Sequence, residues 1–307
     1  MILKVHHDHA ATPSARRLEN MHIAFFPEMG LFLTELRRDG QDAYAGKVVV
    51  TYHRPGESQG RNIELPLQPE TSNLEIVDVV MHSSPTKAYD MGAQYNGWFS
   101  ECFGYEVILV YLGENLRPVL GNLSPNAASG RPAKSSWFSS ITDNIPLLGT
   151  STKEEEQKGI TFADCAPFLV VTEESLANVS TRLPDGEEMD ITKFRPNIVL
   201  SGSPNAWDED FWGGIRIRDN VDIILTQNCV RCVSLNVDYA TGKPGTGEAG
   251  SILRKLMKDR RVDPGTKYSP VFGRYGFLGR EVEGMTIAIG DEVTVTRRNT
   301  ERTKFGK

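Results

Sequence analysis

The sequence contains no apolar run long enough for a membrane helix, and it is poor in cysteine. Its longest apolar stretches, such as Val107–Leu112 and Phe168–Val171, have the length of strands rather than the ~20 residues that a bilayer requires. The start, Met1–Val5, is too short for the apolar core of a secretory signal. We therefore expect neither a signal peptide nor a membrane span. Four cysteines without a signal indicate a reducing compartment, the cytoplasm or the mitochondrion.

The composition carries no strong excess of either charge. The 307 residues include 34 lysines and arginines and 40 aspartates and glutamates, a net charge of −6, and 39% are hydrophobic. These values exclude a disordered chain, a collagen-like fibre and a disulfide-dense mini-protein. The length predicts about two domains, and a mildly acidic chain is a poor general binder of nucleic acid.

The first 120 residues show patterns typical of strands. Val48–Tyr52, Asn62–Leu67 and Leu74–Met81 are β-branched or alternating runs separated by turn residues. Apolar residues at helical spacing predict one helix over Gly92–Phe103, and a strand follows at Glu106–Leu112.

Residues 121–158 are rich in small and polar residues and are predicted to be a linker or long loop. In the second half, Thr172 is a predicted N-cap of a helix that ends near Leu183, and 250–258 is a second helix. The predicted strands are Pro167–Val171, Asn197–Ser201, Asp222–Thr226, Val233–Asp238 and a final alternating segment, Met285–Val295. Strands predominate without strict alternation with helices, which favours a mixed β fold with helices (α+β) over a doubly wound sheet.

The tetrapeptide Cys229-Val-Arg-Cys232 allows several interpretations: a redox pair, half of a zinc site, two buried thiols, or a thiolate ligand for a soft metal. Zinc needs further ligands, and all six histidines lie within the first 82 residues. A thioredoxin-like pair belongs at a strand-to-helix turn, whereas a strand is predicted to follow here. In the metal-ligand interpretation, the guanidinium of Arg231 would favour the thiolate of Cys232.

Arg195-Pro-Asn197 combines a planar guanidinium, which suits phosphate, with an amide that can bind the edge of a heterocycle. The alternative is a surface arginine ahead of a strand. Gly245–Gly250 matches the spacing GxGxxG, but no strand directly precedes it, so we predict a turn rather than a nucleotide loop. The run His6–His9 resembles a metal-binding cluster, but neighbours in a strand point to opposite faces and cannot form a metal site by themselves. We therefore predict a solvated turn there.

The segment Cys229–Tyr239, followed by Ala-Thr-Gly242, resembles the signature of the MOSC domain. That family is named after the C-terminal part of molybdenum cofactor sulfurases, and its oxidoreductase members include the mitochondrial amidoxime-reducing components. Further segments that resemble the family are Phe194–Gly202, Ala206–Trp212, Ser269–Tyr275 and Ile289–Val293. Residues 21–120 more weakly resemble its N-terminal β-barrel domain.

The resemblance implies an N-terminal MOSC β-barrel-like domain at 1–120, the linker at 121–158, a MOSC β-barrel domain at 159–299 and a tail at 300–307. Family members begin with a strand and a following segment whose Lys, Ser and Arg hold the cofactor. The present chain starts just after that stretch, so the N-terminal domain is expected to be incomplete.

The cofactor that the resemblance implies is a molybdenum-bound pterin. Cys232 matches the family's metal ligand and would be the catalytic residue. The implied cofactor-binding residues are Asp164, Cys165, Arg195, Asn197, Val230, Arg231, Cys232 and Tyr275. The family often has hydroxyl residues where this chain has Cys165 and Ala166, which weakens the correspondence there.

The implied function is an oxidoreductase that reduces N-oxygenated, for example N-hydroxylated, small molecules. Because no flavin or nicotinamide motif is visible, electrons would come from an external donor, which the resemblance identifies with a cytochrome b5 system. The alternative is a module that carries the cofactor or a sulfur atom without turnover. The sulfurases of the family carry a pyridoxal-phosphate domain, for which 307 residues leave no room. A third reading is a degenerate fold that binds no metal.

Overall fold

A computed structural model describes residues 1–7, 16–40, 45–119, 159–279 and 285–306. Strands predominate in these ranges, and the three α-helices are short. The prediction of a mixed β fold with a few helices is thereby confirmed. The predicted linker at 121–158 lies outside the described residues. None of the described helices has the length and apolar character to cross a membrane.

The N-terminal half consists of two sheets with one helix. Its strands are β1 (Ile2–His7), β2 (Arg16–Asn20), β3 (Phe32–Arg38), β4 (Gly46–Tyr52), β5 (Arg61–Pro66), β6 (Ile76–Met81), β7 (Ser84–Asp90) and β8 (Val107–Tyr111). Five of them pair in the order β2-β1-β8-β7-β6, and β3-β4-β5 form a separate antiparallel sheet. Helix α1 (Ala93–Phe103) lies beside β8 and ends at Gly104, whose left-handed φ of 78° suits glycine.

The second half is built on one six-stranded sheet. Its elements are β9 (Phe168–Thr172), α2 (Glu173–Ser180), β10 (Ile198–Leu200), β11 (Trp212–Ile217), β12 (Val221–Val230), β13 (Val237–Asp238), β14 (Lys243–Pro244), α3 (Ile252–Leu256), β15 (Val271–Leu278) and β16 (Val293–Arg298). The sheet order is β10-β9-β15-β12-β11-β16, and its only parallel pair is β9 with β10. The central strands β9, β12 and β15 carry the candidate site at or near their ends.

Local signals located several of these elements. The Thr172 hydroxyl caps α2 by accepting a hydrogen bond from the Ser175 N–H, as predicted, although the helix ends at Ser180 rather than near Leu183. The predicted helix of the N-terminal half and the strands around Val50 and Ile63 are also confirmed.

Two strand predictions were wrong. Residues Val233–Asn236 form a 3-10 helix, because the Leu235 N–H turns back to the Cys232 carbonyl, and only Val237–Asp238 is a strand. The final strand starts at Val293 rather than at Met285. Just before it the chain turns, since the Asp291 carboxylate accepts a hydrogen bond from the Ala288 N–H and the Asp291 N–H bonds the Ala288 carbonyl.

The last described residues pack onto the second half. The Phe305 ring contacts its hydrophobic core, and the Phe305 N–H donates to both carboxylate oxygens of Asp263. The Thr303 hydroxyl bonds the buried guanidinium of Arg274. The domain boundaries at 120 and 158 stay predictions.

Candidate functional site

The two cysteines of the CxxC segment have different surroundings. Cys229, near the end of β12, is buried, whereas Cys232 is exposed and precedes the 3-10 helix Val233–Asn236. The Cys232 Sγ lies 3.2 Å from the Ser234 hydroxyl. Both thiols are free, and no group of three or more metal-binding side chains occurs among the described residues. Of the pair, only Cys232 is open to an external ligand.

Arg231 supports the segment from behind. Its side chain is buried, and its Nη1 donates to the Cys229 Sγ at 2.9 Å while its Nη2 donates to the Phe194 carbonyl at 3.0 Å. The prediction that this guanidinium stabilises the Cys232 thiolate is therefore wrong, since its contact is with Cys229. In an extended chain residues i and i+2 share a face, so Arg231 reaches Cys229 instead. Burial opposes its charge, yet attraction to Cys229 and Tyr275 raises the pKa of Arg231 above its ordinary value.

Arg195 and Asn197 follow Phe194, whose carbonyl accepts the hydrogen bond from Arg231. Arg195 follows the 3-10 helix that ends at Phe194 and adopts a left-handed φ of 54°, which turns the chain toward β10. Its exposed guanidinium has no hydrogen-bond or ion-pair partner among the described residues. Asn197 is held in place by Leu169, because its N–H bonds the Leu169 carbonyl and its Oδ1 accepts from the Leu169 N–H at 2.8 Å. The Asn197 Nδ2 has no hydrogen-bond partner among the described residues and stays available as a donor.

Tyr275 connects these residues to the segment before β9. It lies on β15, is 5% exposed, and its hydroxyl donates to the Asp164 Oδ2 at 3.4 Å. Burial raises the pKa of Tyr275 well above its ordinary value, and Cys229 and Asp164 add to the effect. Burial likewise raises the pKa of Cys165 to about 12, with a further contribution from Asp164. At neutral pH both groups therefore keep their protons.

Asp164 is held by two residues of the N-terminal half. The buried guanidinium of Arg117 donates to the carbonyls of Thr161, Ala163 and Asp164 and so fixes this segment. His82 places its Nε2 2.5 Å from the Asp164 Oδ1. Burial raises the pKa of Asp164, but the His82 hydrogen bond and charge, with Arg195 and Arg231, outweigh it and leave the pKa below its ordinary value.

His82 carries no sequence signal that marks it as a site residue. It lies at the tip of the β6–β7 hairpin, where His82 and Ser83 adopt φ values of 51° and 66°. A two-residue hairpin with both φ values positive is usually marked by Asn or Gly, and neither is present here. His22 is also close, since His82, Asp164 and Arg195 all act on its ionisation. No sequence spacing relates these histidines to Asp164 and Arg195, which lie far along the chain.

The structure thus brings most of the expected residues into one region. Tyr239 belongs to it as well, because Arg195, Arg231 and Cys232 are near enough to influence its ionisation. Val230 is the last residue of β12 and pairs with Val271. The region, called the CxxC site below, comprises Asp164, Cys165, Arg195, Asn197, Val230, Arg231, Cys232, Tyr239 and Tyr275.

The motifs Gly245–Gly250 and His6–His9 make hydrogen bonds within the protein. The Gly245 N–H donates to the Asn236 carbonyl at 2.6 Å, in a loop that leads to a 3-10 helix. The predicted solvated turn was wrong for His6 and His7, which are the last two residues of β1. His6 bonds Glu19 and His7 bonds Glu106, so these neighbours have separate partners. Asp8 and His9 lie outside the described residues.

Comparison with known proteins places this region in a family. Residues 157–294 match the MOSC domain. The human mitochondrial amidoxime-reducing component 1 is 38% identical over 138 residues, which cover 44% of this chain and 38% of that protein. The mouse protein of that name is 29% identical over 238 residues, covering 76% and 59%. The rice molybdenum cofactor sulfurase is 26% identical over 227 residues, covering 71% and 23%. The matches thus span less than two thirds of each of these relatives.

Proposed function

We propose that this chain, which carries a MOSC domain at residues 157–294, binds a molybdenum–pterin cofactor through Cys232 and reduces N-oxygenated small molecules. The observation that carries this proposal is the single exposed thiol of the CxxC site, Cys232. Its region also holds the exposed guanidinium of Arg195, since both residues act on the ionisation of Tyr239. Thiolates are the ligands that soft metals prefer.

The donor set fits such a group. Arg195 offers an unpaired, planar guanidinium, which matches the geometry of a phosphate. Asn197 offers its amide nitrogen to a heterocycle, and Leu169 fixes its orientation. The Nε of Arg231 is buried without a partner, so a donor remains unsatisfied behind Cys232.

In this proposal the protein positions the reaction and the cofactor supplies oxygen-atom and electron transfer when bound. Cys232 holds the metal. Arg231 fixes the CxxC segment through its hydrogen bonds to Cys229 and Phe194. The Tyr275 hydroxyl donates to Asp164 and so orients that carboxylate. The net change breaks the substrate N–O bond, consumes two electrons and two protons, and forms water.

The electrons would come from an external donor, and a cytochrome b5 system is our candidate because of the family resemblance. The names of the human and bovine relatives place those proteins in mitochondria. We propose the cytoplasm or the mitochondrion for this chain, where thiols stay reduced.

A second candidate is a carrier that binds the cofactor, or a sulfur atom, without turnover. The match with the rice sulfurase over 71% of the chain favours it. A turnover assay separates the two. The chain, produced in a host that makes the cofactor, is given an aryl amidoxime and reduced viologen.

Amidine formation together with bound molybdenum is the expected result. Bound pterin and molybdenum with no amidine would support the carrier instead. A preparation that binds neither would contradict both the reductase and the cofactor carrier, and would leave only the carrier of a sulfur atom.

A further inference from the structure

Two histidines of the N-terminal half lie at the edge of the CxxC site. His82 contacts Asp164 directly, with 2.5 Å between the Nε2 and the Oδ1. His22 is close enough to His82, Asp164 and Arg195 for each to affect its ionisation. The His82 side chain keeps 44% of its surface exposed, so it can exchange protons with solvent.

Three groups of the site each keep one protonation state at neutral pH. Asp164 stays ionised because its pKa is lowered, and Cys165 and Tyr275 stay protonated because burial raises their pKa values. Arginines such as Arg195 do not release protons in proteins. Imidazole is the side chain that normally changes its charge near neutral pH.

We propose that His82, oriented by Asp164 and supported by His22, delivers the protons consumed when the substrate N–O bond is reduced. This inference rests on the proposed function. The balance is R–NH–OH + 2 H⁺ + 2 e⁻ → R–NH2 + H2O, with the electrons from the external reductant. The bond broken is N–O, the nitrogen is reduced, and the departing oxygen leaves as water.

The geometry suits this role. The Asp164 carboxylate engages the Nε2 of His82, which leaves the Nδ1–H of the imidazolium as its remaining donor. A carboxylate that fixes the orientation of a histidine is a recurring catalytic arrangement. Asp164 itself is held by Arg117 and Tyr275. The charged and titratable groups around the two histidines are Asp164, Arg195 and Glu19, with Arg231 and Tyr275 behind Asp164.

The backbone offers a clean variant. His82 has a φ of 51°, a conformation that glycine adopts without strain, so His82→Gly removes the imidazole and preserves the turn. His53→Gln is the matched control, an exposed histidine of the same half that we assign no role. In the cofactor-loaded chain with reduced viologen, we expect His82→Gly to lower kcat at pH 7 about 100-fold, the typical size of a general-acid effect. Added imidazole should restore part of the rate, and His53→Gln should match the wild type.

Two further measurements separate the causes of a loss. Molybdenum content should be equal in the wild type and His82→Gly. In the metal-free chain, the low-field ring N–H signal expected from the His82–Asp164 bond should disappear in both His82→Gly and Asp164→Asn, and should persist in His53→Gln. An unchanged kcat, or a loss that imidazole does not restore, would overturn the assignment and leave the proposed function intact. A wild type that binds no molybdenum or turns over no substrate would overturn both.

Discussion

Glu209 is a buried carboxyl group whose effect on stability can be worked out from the structure. It lies in the second half of the chain, is 0% exposed, and its Oε2 accepts hydrogen bonds from Thr172 at 3.1 Å and Ser175 at 2.8 Å. Its Oε1 has no partner. Burial raises its pKa from 4.5 to about 7, despite the hydrogen bond from Ser175.

The sign of the pH effect follows from this shift. Between pH 4.5 and 7 the folded protein holds the Glu209 proton and the unfolded chain releases it, so the free energy of unfolding falls as pH rises. The shift of 7 − 4.5 = 2.5 pKa units, at 1.36 kcal/mol each, corresponds to about 3 kcal/mol lost by pH 8.

The substitution Glu209→Gln tests this reasoning because glutamine stays neutral. Urea unfolding at pH 5 and pH 8 gives the free energy of unfolding of each protein. We expect the variant to gain about 2.5 kcal/mol relative to the wild type between the two pH values, because the wild type has already lost a part of the full effect at pH 5. Glu187→Gln, an exposed residue of the same half, should change nothing. A difference between wild type and Glu209→Gln that is the same at both pH values would refute the assignment.

Three further substitutions separate structural support from cofactor contact. Asp210→Asn removes the charge of a buried carboxylate whose two oxygens each lie 2.9 Å from the Arg260 Nη2. It should lower the free energy of unfolding, measured in urea, by about 3–5 kcal/mol. A loss below about 1 kcal/mol would contradict a buried ion pair between the two residues. Arg231→Lys removes the donor to the Phe194 carbonyl and should lower the free energy of unfolding of the cofactor-free chain by about 1–3 kcal/mol; an unchanged unfolding curve would show that this contact is unimportant. Arg195→Gln should leave stability within about 0.5 kcal/mol, because the side chain is exposed, and should reduce the pterin retained on a desalting column; full retention would remove Arg195 from the cofactor contacts.

Elements with strong local signals were predictable from the sequence. Helix α2 has a capping threonine and acidic residues in its first turn, and α1 has apolar residues at helical spacing and a glycine at its end. The strand β3 lacks such signals, since six of its seven residues are exposed, and it was missed. The residues after Cys232 alternate apolar and polar and so predict a strand. They form a 3-10 helix instead, because the Leu235 N–H bonds the Cys232 carbonyl.

The candidate site was predictable only in part, because tertiary contacts complete it. Cys232 and Arg195 were recognisable from motifs in the sequence. The role of Arg231 was not, because only the folded backbone shows that its guanidinium bonds Cys229 and Phe194. The contact between His82 and Asp164 depends on the packing of a hairpin of the first half against the second half. No local pattern records a contact of that kind.

The most direct test of the account is the molybdenum content of three proteins: the wild type, Cys232→Ser and Cys229→Ser, each produced in a host that makes the cofactor. The two variants change cysteines of the same segment, of which one is exposed and one is buried against Arg231. We predict about one molybdenum per chain in the wild type and in Cys229→Ser, and less than about a tenth of that in Cys232→Ser, because only the exposed thiol is available to the metal. Equal molybdenum in all three, or a loss confined to Cys229→Ser, would contradict the assignment of Cys232 as the ligand.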